Sequence, residues 1–319
     1  MAAKRDSGLE GYIKSGSVMM GNDKRLDIVR LPSGLPQVDN ILNGGIPYGR
    51  YTLIVGPEST GKTVLLQHLV AQAQHGSGNG RTKCMLIDME RSFDRGWWER
   101  SGVDVSKLYV AQPTNGEEAV DIMAATLKEE ELGVLGLDSI AMLNPQVVQE
   151  KESGERTVGA LAQLVSKMYN KVTPVMRDTI IVTINQLRDN IGGYEDVIPG
   201  GRSVRYNSHI RLRTRRVEWI KEKDRRVGYV MEIHAQKNKV GDPEGMCEIP
   251  FRFGTQFDVD GSYIDEGIEK GHIRSAGPYY VITVSEGNDI KFLGKTNLRG
   301  YFTDTPGAME WLRGRLGEA

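Results

Sequence analysis

Residues 56–63 read GPESTGKT, and the types and spacing in that octet suit one task. Gly56 and Gly61, separated by Pro57, Glu58, Ser59 and Thr60, let the backbone wrap an anion with its N–H groups pointing inward. Lys62 is placed to reach the β- and γ-phosphates of a nucleotide, and the Thr63 hydroxyl suits Mg²⁺. The octet follows the apolar run RYTLIV and opens VLLQHLVAQAQ, the strand–loop–helix context that a phosphate-binding loop requires. ATP with Mg²⁺ is the expected ligand pair. Kinases, transporters, GTPases and DNA motors all carry such loops, so the octet leaves open what the nucleotide drives.

Three further strand ends carry the right chemistry. Asp138 ends GVLGL, where an acid can hold Mg²⁺ directly or through water. Glu90 ends KCMLIDME, where a carboxylate can orient and deprotonate the water that attacks a γ-phosphate. Asp88 precedes it by two and leans to the same face, so spacing alone does not choose between them. Gln186 ends DTIIVTINQ, where a neutral amide can hydrogen-bond a γ-phosphate and detect its loss. Together these residues describe one site at the carboxyl edge of a sheet.

The elements that must position them alternate. Strand-like runs at 51–56, 83–90, 107–113, 133–140 and 178–186 are interleaved with helical patterns at 117–132 and 158–176, which predicts an α/β fold with a mostly parallel central sheet. After residue 200, HIRLRTRRVEW and RVGYVMEIHAQKNK alternate at period two and read as an antiparallel extension. From about 262 a smaller α+β unit is expected, with a helix, a hairpin near YYVITVSEGNDIKFLG and the terminal helix PGAMEWLRGRL. Two polar, glycine-containing stretches, 149–159 and 188–203, are long enough to be functional loops.

Composition narrows the class. At 319 residues with 39% hydrophobic and 26% charged residues, the chain has the make-up of a water-soluble protein with one large domain and a smaller one. No apolar run reaches the roughly 18–20 residues that span a bilayer, and neither a signal peptide nor a membrane partner is expected. Cys84 and Cys247 match no metal spacing and read as buried thiols of a cytoplasmic protein. The net charge of −1 excludes a basic nucleic-acid coat, yet residues 200–226 hold ten Lys or Arg against three Asp or Glu. Such a local excess points to a polyanion partner or a subunit contact.

GPESTGKT, LIDMERSFD, LDSIAMLNP, TINQLRDNIGG, PGGRSVRYNSHIRLRTRR and KNKVGDP stand in that order, and together they resemble the bacterial RecA recombinase family over nearly the whole chain. The resemblance implies a RecA-type ATPase core at 33–261, an N-terminal oligomerisation segment at 1–32 and a small C-terminal domain at 262–319. SGSVMMGND resembles the family's subunit-swapping strand. Glu90 then matches the catalytic glutamate, Asp138 the Mg²⁺-holding acid and Gln186 the glutamine that couples ATP to DNA. Lys237 and Lys239 match a lysine pair that reaches the γ-phosphate of a neighbouring subunit's ATP. Asp94 and Trp97 fall at the adenine side, Trp97 in place of a tyrosine. Residues 151–159 and 187–203 match two DNA-binding loops. Val158 and Ile191 fall where apolar wedges part nucleotide triplets, and Gly200, Gly201, Arg202, Ser203 and Arg205 where DNA phosphates are held. Wedges with basic clamps stretch a strand while leaving its base edges free to pair.

The function so implied is an ATP-dependent recombinase of DNA repair and the SOS response. It forms a homo-oligomeric helical filament on single-stranded DNA, pairs it with homologous double-stranded DNA and exchanges strands, with single-strand-binding and loading proteins as further partners. A hexameric motor, helicase or RadA-like, is the alternative, and a scaffold with vestigial nucleotide binding is a third reading. The sequence departs from the family pattern in a short N-terminal segment, in Gln163 where an arginine is common, in RGWW around Trp97 and in a C-terminus without an acidic tail. These departures suggest a divergent, phage-encoded member.

Overall fold

The computed structural model describes residues 8–76, 78–149, 159–187, 197–254, 256–285 and 288–317. Its largest element is a nine-stranded sheet. In chain order the strands are β1 (Tyr51–Gly56), β2 (Cys84–Asp88), β3 (Leu108–Ala111), β4 (Val134–Asp138), β5 (Ile180–Gln186), β6 (Ile210–Glu222), β7 (Arg225–Asn238), β8 (Gly245–Arg252) and β9 (Gln256–Phe257). Their spatial order is β9-β8-β7-β6-β1-β5-β4-β2-β3. The ladders from β6 through β3 are parallel and those from β6 out to β9 antiparallel, so the expected parallel core with an antiparallel extension is what forms.

The parallel strands are apolar throughout because both faces are covered. Successive residues of β1 enter opposite cores: Ile54 packs with Leu65, Leu69 and Val182, while Leu53 and Val55 pack with Leu135, Met168 and Ile181. Helix α2 (Lys62–Gln74) lies in the first layer; α4 (Gly116–Glu129) and α5 (Ala160–Val172) form the second. The helix expected at 158–176 gives way to a 3₁₀ turn at Thr173–Val175, where Pro174 cannot continue the α-helical bonding. On β6, Ile210, Leu212 and Thr214 are buried, and Arg211, Arg213 and Arg215 alternate with them on the less covered face.

Beyond the sheet, α7 (Val259–Glu269) leads into a three-stranded antiparallel sheet, β10 (Ile273–Ala276), β11 (Tyr279–Ser285) and β12 (Asn288–Leu293), with α8 (Gly294–Asp304) and α9 (Ala308–Arg315) packed on it. Tyr263, Ile273, Ile282, Leu298, Phe302 and Leu312 form its own core. Strands β8, β9 and β10 and helix α8 were not anticipated: β9 and β10 have two and four residues, β8 contains Pro250, and α8 carries Gly294 and Gly300 and buries only Leu298 and Phe302. At the other end, α1 (Leu9–Lys14) buries none of its residues, and 15–20 make no strand within this chain. Among the described residues no helix is long and apolar enough to cross a membrane.

Candidate functional site

The sheet register brings the chemistry together. Gly56 pairs with Gln186 and Asp88 with Asp138, and Leu137 pairs with Thr183, so β1 and β5 end together at the carboxyl edge while β2 and β4 end together two residues short of them. A cleft of about 350 Å³ opens there, lined by 58–64, Glu90, Trp97, Asp138, Gln186 and an aromatic wall.

The phosphate loop is built from close approaches. A Cβ on Gly56 would stand 2.5 Å from Thr214 Oγ1, and one on Gly61, at φ 87, would stand 2.1 Å from Met231 Cε. Only glycine fits either place. Thr60 Oγ1 bonds the Pro57 carbonyl at 2.9 Å and lies 2.8 Å from Thr214 Oγ1, which ties the loop to β6. Lys62 Nζ donates to the carbonyls of Gly56 (3.1 Å) and Pro57 (2.6 Å). Burial lowers its pKa, opposed by Asp138, Glu90 and Glu58. A buried ammonium held by two carbonyls is ready to exchange them for phosphate oxygens.

Thr63 Oγ1 donates to Asp138 Oδ2 at 2.7 Å. Burial pushes the Asp138 carboxyl up to about 6, assisted by Glu90 and Asp88 and opposed by the Thr63 bond and Lys62. A hydroxyl and a carboxylate side by side suit a hard divalent cation. Among the described residues no group of three or more His, Cys, Asp or Glu is placed to hold a metal.

Asp88 and Glu90 have separate surroundings. Asp88 is 1% exposed and accepts the N–H groups of Ser92 (3.1 Å) and Phe93 (3.0 Å) and Gln112 Nε2 (2.9 Å). It builds the turn after β2. Glu90 faces the cleft, its Oε1 accepting from Ser139 Oγ at 2.8 Å and Gln186 Nε2 at 3.4 Å. Asp94 caps helix α3 (Arg95–Arg100) by accepting the Trp97 N–H at 2.7 Å, which fixes the turn that sets Trp97 in the cleft wall.

Lys237 and Lys239 lie elsewhere. Ile210 pairs with both Thr52 and Asn238, so the lysines sit at the amino end of β1, about 13 Å of strand rise from the phosphate loop. There they cap the last carbonyls of α6 (Arg202–Asn207): Lys237 Nζ to Arg205 O at 2.5 Å and Lys239 Nζ to Tyr206 O at 2.9 Å. Burial, with Lys239 and Arg211 beside it, lowers Lys237 to about 8.

Of the residues expected at DNA, Val158 and Ile191 lie outside the described residues, as do 151–158 and 188–196. Gly200 and Gly201, at φ 92 and 77, lead into α6, where a Cβ on either would come within 2.8 Å of Val204 or Ala162. Arg202 and Arg205 project from that helix, and the Ser203 hydroxyl lies 2.6 Å from Ser166 Oγ on α5.

Sequence reasoning missed Ser139 and the aromatic wall of Tyr229, Phe251 and Phe253 opposite Trp97. Ser139 had one signal, its place next to Asp138. Tyr229 had none, because an apolar residue alternating along β7 reads as ordinary core, and Phe251 and Phe253 fall in a stretch for which no strand was anticipated.

A family model described as the RecA N-terminal domain matches residues 7–258. Curated proteins named "Protein RecA" are similar along most of their length. The one from Streptomyces ambofaciens is 34% identical over 305 residues, covering 93% of this chain and 80% of the relative. That from Frankia alni is 36% identical over 298 residues, covering 91% and 84%. That from Cutibacterium acnes is 35% identical over 298 residues, covering 91% and 83%.

Proposed function

The chain belongs to the RecA family, and from that premise we propose that it is a recombinase whose filament on single-stranded DNA is assembled by ATP and released by hydrolysis. The observation that carries the reading is the meeting of Lys62, Thr63, Asp138, Glu90 and Gln186 at one cleft.

In this reading the loop N–H groups and Lys62 hold the triphosphate, and Thr63 and Asp138 hold Mg²⁺. The metal, when bound, neutralises charge on the β- and γ-phosphate oxygens. Ser139 fixes the Glu90 carboxylate, which takes the proton of the attacking water. Gln186 leaves Glu90 for the γ-phosphate and draws on Leu187 and the loop beyond it. Trp97 and the aromatic wall enclose the base. Arg202 and Arg205 supply cations for DNA phosphates.

Assembly completes the site. Lys237 and Lys239 are too far from their own phosphate loop to serve it, so they act on a neighbour's ATP. Helix α1 leaves Leu9 (65%), Tyr12 (60%) and Ile13 (50%) exposed, and Met20 is 77% exposed. At the far side of the sheet, β3 is an edge strand whose Tyr109 and Val110 face solvent. An open edge and an apolar helix that buries none of its residues among the described part of the chain fit head-to-tail strand addition between subunits. Cys84 and Cys247 are free thiols, as a reducing cytoplasm requires. Electron microscopy with single-stranded DNA and a slowly hydrolysed ATP analogue tests the proposal. Helical filaments that need both ligands are expected; closed rings or DNA-independent assemblies overturn it.

A further inference from the structure

The β6–β7 hairpin carries a cluster that neither the phosphate loop nor the basic run accounts for. The guanidinium of Arg216 lies 4.2 Å from the Trp219 ring centroid and that of Arg226 lies 4.4 Å from it. The indole meets Tyr229 (6.1 Å, 84°) and Phe253 (6.5 Å, 65°) edge to face, and both of those rings line the nucleotide cleft. Arg216 also reaches back to the phosphate loop, where its Nη1 donates to the Ser59 carbonyl at 3.4 Å. Ser59 stands at φ 57, a left-handed backbone that a serine keeps only when its surroundings hold it.

We propose that Arg216 and Trp219 are positioning residues of the nucleotide site: the indole holds the Arg216 guanidinium beside the phosphate loop, where it braces Ser59 and adds a positive charge at the rim facing a nucleoside triphosphate. Stacking on an indole restrains the long arginine side chain without neutralising it, and a guanidinium is weakly enough hydrated to accept that setting. The edge-to-face contacts extend the brace to the base side, so one hairpin touches the loop at one end and the aromatic wall at the other. Arg216 and Arg226 belong to the run at 200–226 whose charge pointed to a polyanion. On this assignment Arg216 serves ATP rather than a DNA backbone. The inference rests on the cleft being the ATP site.

Two measurements on the full chain separate the possibilities: affinity for a fluorescent ATP analogue without DNA, and the salt dependence of single-stranded DNA binding. Arg216→Gln is expected to weaken nucleotide binding by about three- to tenfold and leave the DNA salt slope at its wild-type value. Trp219→Leu removes no charge and is expected to weaken nucleotide in the same direction, which a purely electrostatic role of Arg216 would not produce. Arg216→Lys, which keeps the charge without the planar stack, is expected to recover part of the loss. Arg216→Gln with wild-type nucleotide affinity and a slope smaller by about 0.7 overturns the proposal and makes Arg216 a phosphate contact to DNA. Unchanged nucleotide affinity in Trp219→Leu overturns the brace. A wild-type chain that binds no nucleotide instead rejects the reading of the cleft itself.

Discussion

Two carboxylates two residues apart illustrate how surroundings divide labour at the residue scale. Asp88 has its oxygens taken by two backbone N–H groups and an amide, whereas Glu90 looks into the cleft. Replacing each with its amide should therefore have opposite consequences. Glu90→Gln keeps an acceptor for Ser139 but loses the base, so ATP binding should persist while DNA-stimulated turnover falls by about 10²–10⁴-fold, and filaments should outlast those of wild type. Asp88→Asn puts an NH₂ group where only donors now point. Its main effect should be a lower melting temperature, with an unsatisfied buried group costing about 1–3 kcal/mol. Steady-state ATPase assays and thermal melts of both variants check the pair. Wild-type turnover in Glu90→Gln would transfer the water-activating role to another group.

At the scale of elements, α2 and β5 each connect the site to something remote. Helix α2 is buried along much of its length and contains His68, whose Nε2 lies 2.7 Å from the Ser33 carbonyl and whose ring meets Phe257. Burial holds its imidazole down to about 4 from the ordinary 6.5. As pH falls below about 6.5 the unfolded chain takes up that proton first, and stability declines until pH reaches about 4, where the folded form binds it too. The slope is at most about 1.4 kcal/mol per pH unit. His68→Gln, which keeps a donor, should flatten the melting temperature against pH across that window; His209, also held near 4 by burial, will retain a residual slope. Strand β5 ends in Gln186, which on the proposed reading serves both the nucleotide and the DNA loop. Coupling is reciprocal, so DNA should tighten ATP binding by the factor with which ATP tightens DNA binding, typically about 5–150-fold. Gln186→Ala should keep nucleotide affinity without DNA and bring that factor close to one. A four-corner titration measures it, and a retained factor would move the switch elsewhere.

For the molecule as a whole, the decisive distance is that between Lys237 and Lys239 and their own phosphate loop, which lie at opposite ends of β1. On the proposed reading one subunit holds a nucleotide site at one edge of its sheet and cations for a neighbour's nucleotide at the other. The double variant Lys237→Ala, Lys239→Ala should bind ATP as a monomer yet lose DNA-stimulated hydrolysis. Mixed with Lys62→Ala protein it should regain activity, because some mixed interfaces pair an intact loop with an intact lysine pair. Absence of rescue at every mixing ratio would count against a shared site.

The phosphate loop, the parallel core and the strand ends bearing Asp138 and Gln186 were legible in the sequence, because each depends on local order: glycine spacing, apolar runs between helical patterns, and a polar residue where a buried strand stops; Glu90, expected to end its strand, lies two residues past β2, which stops at Asp88. The end of α5 at Val172 was not legible: the expected helix ran to 176, and Pro174, with no N–H to donate, lies in a 3₁₀ turn instead. What local order could not supply was register and approach between distant segments. Only the pairing of Asp88 with Asp138 and the fold of the turn at Ser92 and Phe93 distinguish Glu90 from Asp88 by geometry. The need for glycine at 61 comes from Met231 and Tyr229, 170 and 168 residues further on. Tyr229 had the periodicity of core, and only the folded sheet brings it to the cleft beside Phe251 and Phe253, with Trp219 packed against Tyr229 and Phe253. Side-chain type and spacing set the chemistry available to this chain; long-range packing decided which of those groups face one another.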